Sequence, residues 1–235
     1  MAFAGVRERS AAQALANQRA EFIRLTYLHL GSAILAFIAL TTGIIGSGMG
    51  KVITGTLLGS QYSWLIVLGA FMAVGWVAER WARAANNPIQ AYAGLALYVV
   101  AQAIIMTPLL YIATNFGGPN VIPTAGILTL LVFGGLTASV FITKKDFSFM
   151  RSALMMASFA AMGMIVVSIL FGFDLGVLFS GAMVLVAGGY VLYYTSNVLH
   201  HYPAGAHVAA SLALFSAIAL LFWYILQVLM SLGRD

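Results

Sequence analysis

The chain has 235 residues, of which 62% are hydrophobic and only 7% are charged. Soluble domains carry about 25% charged residues, so this composition excludes a soluble globular protein and predicts one embedded in a membrane. The absence of cysteine excludes disulfides, thiolate metal ligands and cysteine catalysis. Although the net charge is +5, we expect a lipid bilayer around the chain and no nucleic-acid partner.

The chain divides into a polar tail and a series of apolar runs. Residues 1–23 are alanine-rich and carry balanced charges, and they predict a cytoplasmic tail that is helical from about Ser10. A bilayer core about 30 Å thick needs roughly 20 apolar residues per helix. Residues 24–235 therefore predict an all-α polytopic membrane protein, a bundle of seven transmembrane helices. The predicted spans cover about residues 25–45, 62–80, 89–114, 124–143, 149–171, 175–195 and 206–232.

Polar residues and prolines indicate how several spans begin, bend or end. Asn87-Pro88 predicts the start of the third span, and Thr107-Pro108 predicts a kink or break inside it. Glu79 and Arg83 lie one helical turn apart and predict an ion pair. Asp174 precedes the sixth span, where a carboxylate suits the helix dipole.

Alanines recur every four residues in two spans. They occupy positions 153, 157 and 161 of the fifth span, and positions 209, 213 and 217 of the seventh. Such stripes allow helices to approach closely in lipid. Both spans are therefore predicted to pack tightly through these faces.

The basic residues predict the orientation. With the N-terminus in the cytoplasm, nine of the eleven lie on the inner side, and only Lys51 and Arg234 lie outside. The predicted location is the bacterial inner membrane, with the C-terminus outside.

The sequence lacks the residue arrangements of the two catalytic or cofactor sites that seven helices could carry. The three lysines, Lys51, Lys144 and Lys145, all fall between spans, which excludes a retinal Schiff base. Ser180 and His207 lie near opposite ends of their spans, too far apart for a serine protease. We therefore expect no enzyme, no cofactor and no metal.

The four histidines are the remaining titratable candidates. His200, His201 and His207 surround the turn between the last two spans, at the predicted inner surface. They are interfacial residues, sensors of cytoplasmic pH, or poor metal ligands, since we expect no acid or thiol near them. His29 lies inside the first span, either hydrogen-bonded to another helix or titrating.

Motifs in a characteristic order resemble those of a known family. They are the Thr-Lys-Lys-Asp-Phe-Ser-Phe run at 143–149, the Thr-Ser-Asn-Val-Leu-His run at 195–200, and the two proline motifs above. With seven spans, the chain resembles the Bax inhibitor-1 family, and within it the bacterial YccA-like branch. The resemblance implies a Bax inhibitor-1-like bundle, an association with calcium leak and stress control, and, for that branch, with the membrane protease FtsH.

The leak members of this family are gated by two aspartates. Here Tyr194 stands at the first position, in Tyr193-Tyr194-Thr195, and Ala217 at the second. A phenol and a methyl group cannot act as a titrating carboxylate pair, and calcium favours sites with carboxylates. The resemblance therefore implies the fold but not the calcium mechanism.

Two classes of function are consistent with the sequence. The first is a regulatory or interaction protein that modulates an FtsH-type protease or serves as an accessory partner of a larger membrane complex. In that reading the tail, with Arg7, Arg9 and Arg19, engages the protease; alternatively its arginines anchor it to anionic lipid. The second class is a calcium or proton leak channel that works without the aspartate pair, through His29 and the other histidines.

Overall fold

A computed structural model describes the backbone of residues 2–60, 62–84 and 87–233, and side chains in the same ranges from Asn17 onward. This part of the chain is built from helices, and seven of them are long and apolar enough to cross a membrane. The prediction of an all-α, seven-span membrane protein is confirmed. The helices are α1 (Ala2–Gly46), α2 (Met49–Leu57), α3 (Ser63–Ala82), α4 (Pro88–Phe116), α5 (Val121–Thr143), α6 (Met150–Phe171), α7 (Gly176–His200) and α8 (His207–Leu232).

The helices differ from the sequence-based expectation in three places. The first helix begins at Ala2 rather than near Ser10 and runs unbroken into the first span, because the tail is alanine-rich and contains no proline. The short helix α2 lies between the first two spans and was not predicted. Pro108 does not break α4, which continues to Phe116.

Three of the predicted local features are confirmed. The side chain of Asn87 caps α4 by accepting a hydrogen bond from the Gln90 amide at 3.2 Å, with Pro88 in the first turn. Arg83 donates to Glu79 at 3.0 Å. Asp174 precedes α7 as expected, and its carboxylate accepts from the Gly176 amide at 3.0 Å.

Helix α8 forms the centre of the bundle. It packs against α1, α3, α4, α5 and α7, and Ala209 and Ala217 of its small-residue stripe are buried. The stripe on α6 does not pack in the same way, since Ala153 is exposed and only Ala161 is buried. The close-packing prediction holds for α8 and is wrong for most of α6, which contacts chiefly α7.

Because successive spans alternate in direction, the α3–α4, α5–α6 and α7–α8 connections share one end of the bundle with the first residues of the first span. We call this the basic end. Lys51 lies at the opposite end, whereas Arg234 and the side chains of Arg7 and Arg9 lie outside the described residues. The basic end carries Arg19, Arg24, Arg80, Arg83, Lys144, Lys145 and Arg151.

Candidate functional site at the basic end

Tyr194 and Ala217, at which the resemblance places the family's aspartates, both contact one core cluster. Ala217 is 2% exposed and belongs to the core cluster between α4, α5, α7 and α8. Tyr194 packs against the same cluster, with its ring stacked on Tyr190 at 5.6 Å between centroids. In the antiparallel α7–α8 hairpin, Tyr194 lines a small cavity with Ala213, one helical turn before Ala217.

One carboxylate does reach this region, from a helix that the sequence analysis did not connect with it. Glu79 of α3 lines the same cavity as Tyr194. The cavity measures about 30 Å³, which is room for roughly one water molecule. The Glu79 side chain is 49% exposed and forms an ion pair with Arg83, so the described residues around this cavity include one carboxylate rather than two.

Two histidines from distant parts of the chain meet beside a tyrosine. His29 Nε2 lies 3.1 Å from the Tyr92 hydroxyl, and that hydroxyl lies 3.5 Å from His207 Nε2. The rings of His29 and His207 are 5.1 Å apart. His29 therefore lies within the first span at the level of the first residue of α8, near the basic end, and it contacts another helix, α4, through Tyr92.

The other two histidines lie apart from this group, and one of them has an acidic partner. His201 Nε2 lies 2.9 Å from a carboxylate oxygen of Asp146, whereas His200 contacts His201 ring to ring at 6.2 Å. The expectation that no acid lies near the histidines is wrong, because the α5–α6 and α7–α8 connections meet at one end. That shared end was predictable from the alternating spans; the pairing itself was not.

Asp146 also fixes the α5–α6 connection to α7. Its second carboxylate oxygen accepts hydrogen bonds from the Ser148 amide at 2.8 Å and the Ser196 hydroxyl at 3.3 Å, while the Phe147 amide donates to Ser196 at 2.9 Å. The Ser148 amide, followed by His201, lowers the pKa of Asp146 to about 2. The carboxylate is therefore ionised at every physiological pH.

Arg19, which the sequence assigned to the tail, is bound to the bundle. Its guanidinium donates to the carbonyl oxygens of Leu199 at 3.1 Å and Tyr202 at 2.6 Å. These are carbonyls at the end of α7, where a cation also suits the helix dipole. We call this contact of Arg19 with the two carbonyls the Arg19 cap. Burial raises the pKa of the neighbouring Tyr202 to about 12, so its phenol stays neutral.

The described residues contain no group of three or more histidine, cysteine or acidic side chains placed to hold a metal ion. The arrangement at the basic end instead consists of hydrogen bonds and ion pairs that connect α1 and the α5–α6 connection to the α7–α8 hairpin. These contacts hold the elements of the basic end together.

Seven apolar helices in the described chain, one of them buried at the centre of the bundle, with polar contacts at one end, define a polytopic α-helical membrane protein. Residues 19–234 match the family model described as "Inhibitor of apoptosis-promoting Bax1". The chain belongs to the Bax inhibitor-1 family.

The chain is also similar to individual proteins, one of which bears the family's name. The chain is 27% identical over 219 residues to Bax inhibitor 1 of Schizosaccharomyces pombe, covering 89% of this chain and 78% of that protein. It is 33% identical over 129 residues to an uncharacterized protein of Pseudomonas aeruginosa, covering 54% of this chain and 56% of the relative. An uncharacterized membrane protein of Vibrio cholerae is 33% identical over 117 residues, 48% of this chain and 50% of the relative. No solved structure matches.

Proposed function

We propose that this chain is a regulatory protein of the bacterial inner membrane that acts by engaging another membrane protein. The observation that carries the proposal is the closed site at Tyr194 and Ala217, where a leak member of the family would carry its two carboxylates. A cavity with room for about one water does not offer the six to eight oxygen ligands that calcium takes. In this proposal the protein uses the helix bundle of its family to bind a partner rather than to conduct calcium.

The partner that we propose is a membrane protease of the FtsH type, as in the YccA-like branch, or a larger complex that contains one. Support comes from α1, which begins at Ala2 and carries charged residues as far as Arg24 before its apolar stretch. Residues 2–16 would extend the helix by roughly 22 Å at 1.5 Å per residue. With the basic end in the cytoplasm, this extension lies on the side from which such a protease engages its clients.

Truncation of the tail tests this partner. Deleting residues 1–17 leaves Arg19 and its bonds to α7 in place, so the bundle should fold and insert as before. Turnover of the protein, its protection of other clients and its co-purification with the protease should all be lost. The double variant Arg7→Gln, Arg9→Gln is the matched control: it keeps the length of the tail but weakens attraction to anionic lipid.

The truncation and the control separate the two readings of the tail. If the tail engages a protease by its length, the control keeps normal turnover and only the truncation loses it. Unchanged turnover and co-purification in the truncated protein would overturn the protease proposal and leave the tail as a lipid anchor.

A leak channel is the second candidate, and the contact between His29, Tyr92 and His207 is the observation in its favour. Calcium or proton flux into proteoliposomes, measured between pH 6 and 8, tests it. We expect no acid-gated calcium flux from the natural chain, and a gain of flux when both family carboxylates are restored by Tyr194→Asp and Ala217→Asp. A pH-dependent flux that disappears in His29→Ala would favour the channel instead.

A further inference from the structure

A large cavity opens in the half of the bundle away from the basic end. Its volume is about 570 Å³, within the range of small-molecule sites in proteins. Residues of α3, α4, α6, α7 and α8 line it, and most of them are leucine, isoleucine, methionine, phenylalanine or tryptophan. Trp64 and Trp223 stack at 6.3 Å between ring centroids in its wall.

The inner part of this cavity holds a polar side chain without a partner. Gln102 of α4 is 7% exposed and lines the cavity. The side-chain amide of Gln102 makes no hydrogen bond to any part of the chain that the structure describes. Its nitrogen and oxygen are not fully enclosed by neighbouring atoms, so they are accessible from the cavity. A buried amide without a partner costs free energy, so a hydrogen-bonding group within the cavity would offset that cost.

The neighbours of Gln102 do not offer this group. Ser216, across the cavity on α8, already donates its hydroxyl to the Ala213 carbonyl at 2.8 Å, and the wall beside it is formed by Ala219 and Leu220. Asp174, at the α6–α7 turn, is the one charged residue among the lining residues described. Apart from Asp174, the polar side chains among the described lining residues are therefore neutral, and two of them, Ser180 and Gln227, are hydrogen-bonded to each other.

The cavity also has a route to the bilayer. Helices α3 and α6 both line it, but they do not belong to the helix pairs that pack together. A molecule dissolved in the lipid can therefore enter between them without first crossing water.

We propose that this cavity binds a neutral apolar small molecule that carries a hydrogen-bonding oxygen, taken from the bilayer, with the oxygen at Gln102. The walls bury the apolar body, and the amide, which can donate or accept, fixes the orientation. We expect the ligand to be neutral because a charged group at Gln102 would have no oppositely charged side chain beside it. The inference concerns a different end of the bundle from the proposed partner site and does not depend on it.

The test uses 2-naphthol and naphthalene, two probes that differ by one hydroxyl group. Each is equilibrated with the full chain in lipid nanodiscs and with empty nanodiscs of the same composition, and the protein-dependent excess is quantified. We expect saturable binding of one probe per chain, with 2-naphthol bound roughly two- to tenfold more tightly, the equivalent of one neutral hydrogen bond.

Substitutions assign the site. Gln102→Leu should keep naphthalene binding and abolish the preference for 2-naphthol, whereas Gln90→Leu, on the same helix outside the cavity, should leave both unchanged. Ala219→Phe should fill the cavity and remove both; if that variant does not fold, Leu109→Trp fills it from α4.

Three results would overturn the proposal. The first is binding no greater than in empty nanodiscs, as for a cavity that holds water alone. The second is equal affinity of the natural chain for the two probes. The third is a hydroxyl preference that persists in Gln102→Leu.

Discussion

Gly94 is the position at which a single added methyl group should disturb this fold most clearly. A Cβ atom at Gly94 of α4 would lie 2.5 Å from the Ala78 carbonyl oxygen, 2.6 Å from the Ala82 amide nitrogen and 2.9 Å from the Trp81 Cβ, all on α3. Two of these atoms belong to the backbone and cannot rotate away. Gly94→Ala therefore requires α3 and α4 to move apart.

The size of the effect follows from two opposing contributions. Overpacking of this kind costs about 1–3 kcal/mol, and contacts with backbone favour the upper part of that range. Replacing glycine by alanine inside a helix returns roughly 0.5–1 kcal/mol. We expect a net loss of about 1–2 kcal/mol in the free energy of unfolding, together with a displacement of Glu79, on α3, from Tyr194.

The assay is equilibrium unfolding of the purified protein in mixed micelles, followed by circular dichroism. Gly69→Ala is the matched control, because no atom lies within 4 Å of an added Cβ at that position in α3; it should be neutral or slightly stabilising. If Gly94→Ala proves as stable as Gly69→Ala, the close approach of α3 and α4 does not exist and the argument is refuted.

Three further predictions concern the basic end. Ala217→Leu should lower stability in detergent by roughly 1–3 kcal/mol through overpacking, and Tyr194→Phe by much less; an unchanged melting temperature for Ala217→Leu would place that face toward lipid. Arg19→Gln should cost about 1–3 kcal/mol, since it removes charged donors from two carbonyls, whereas the exposed Arg24→Gln should not; equal effects of the two would mean that the cap contributes nothing. Because the folded-state pKa of Asp146 is lowered from 3.8 to about 2, its contribution is complete above about pH 4 and is lost as the pH falls toward 2. The protection factor of the Ser148 amide against hydrogen exchange, which compares its rate with that of an unstructured amide at the same pH, should fall over that interval, and Asp146→Asn should abolish this fall; a protection factor that stays constant with pH in the natural chain would contradict it.

The sequence predicted those features that depend on hydrophobic length and on local chemistry. Seven spans follow from apolar runs, and the Asn87 cap and the Glu79–Arg83 pair follow from spacing along one helix. Contacts between segments that are distant in the chain could not be predicted from the sequence. Nothing local indicates that Arg19 reaches the end of α7, that His207 meets His29, or that Gln102 lies without a partner, because each depends on how the helices rotate and stagger against one another.

The Arg19 cap has a mechanical consequence. Helix α1 is continuous from Ala2 to Gly46, so a pull applied to its projecting end is transmitted along a stiff rod directly into the first span. Among the side chains that the structure describes, the first attachment that such a force meets is Arg19, held to the carbonyls of Leu199 and Tyr202, and behind it lies the packing of α1 against α8. An unfolding machine that grips this end must therefore work against the centre of the bundle from its first step, so the chain would resist extraction from the membrane rather than yield one span at a time.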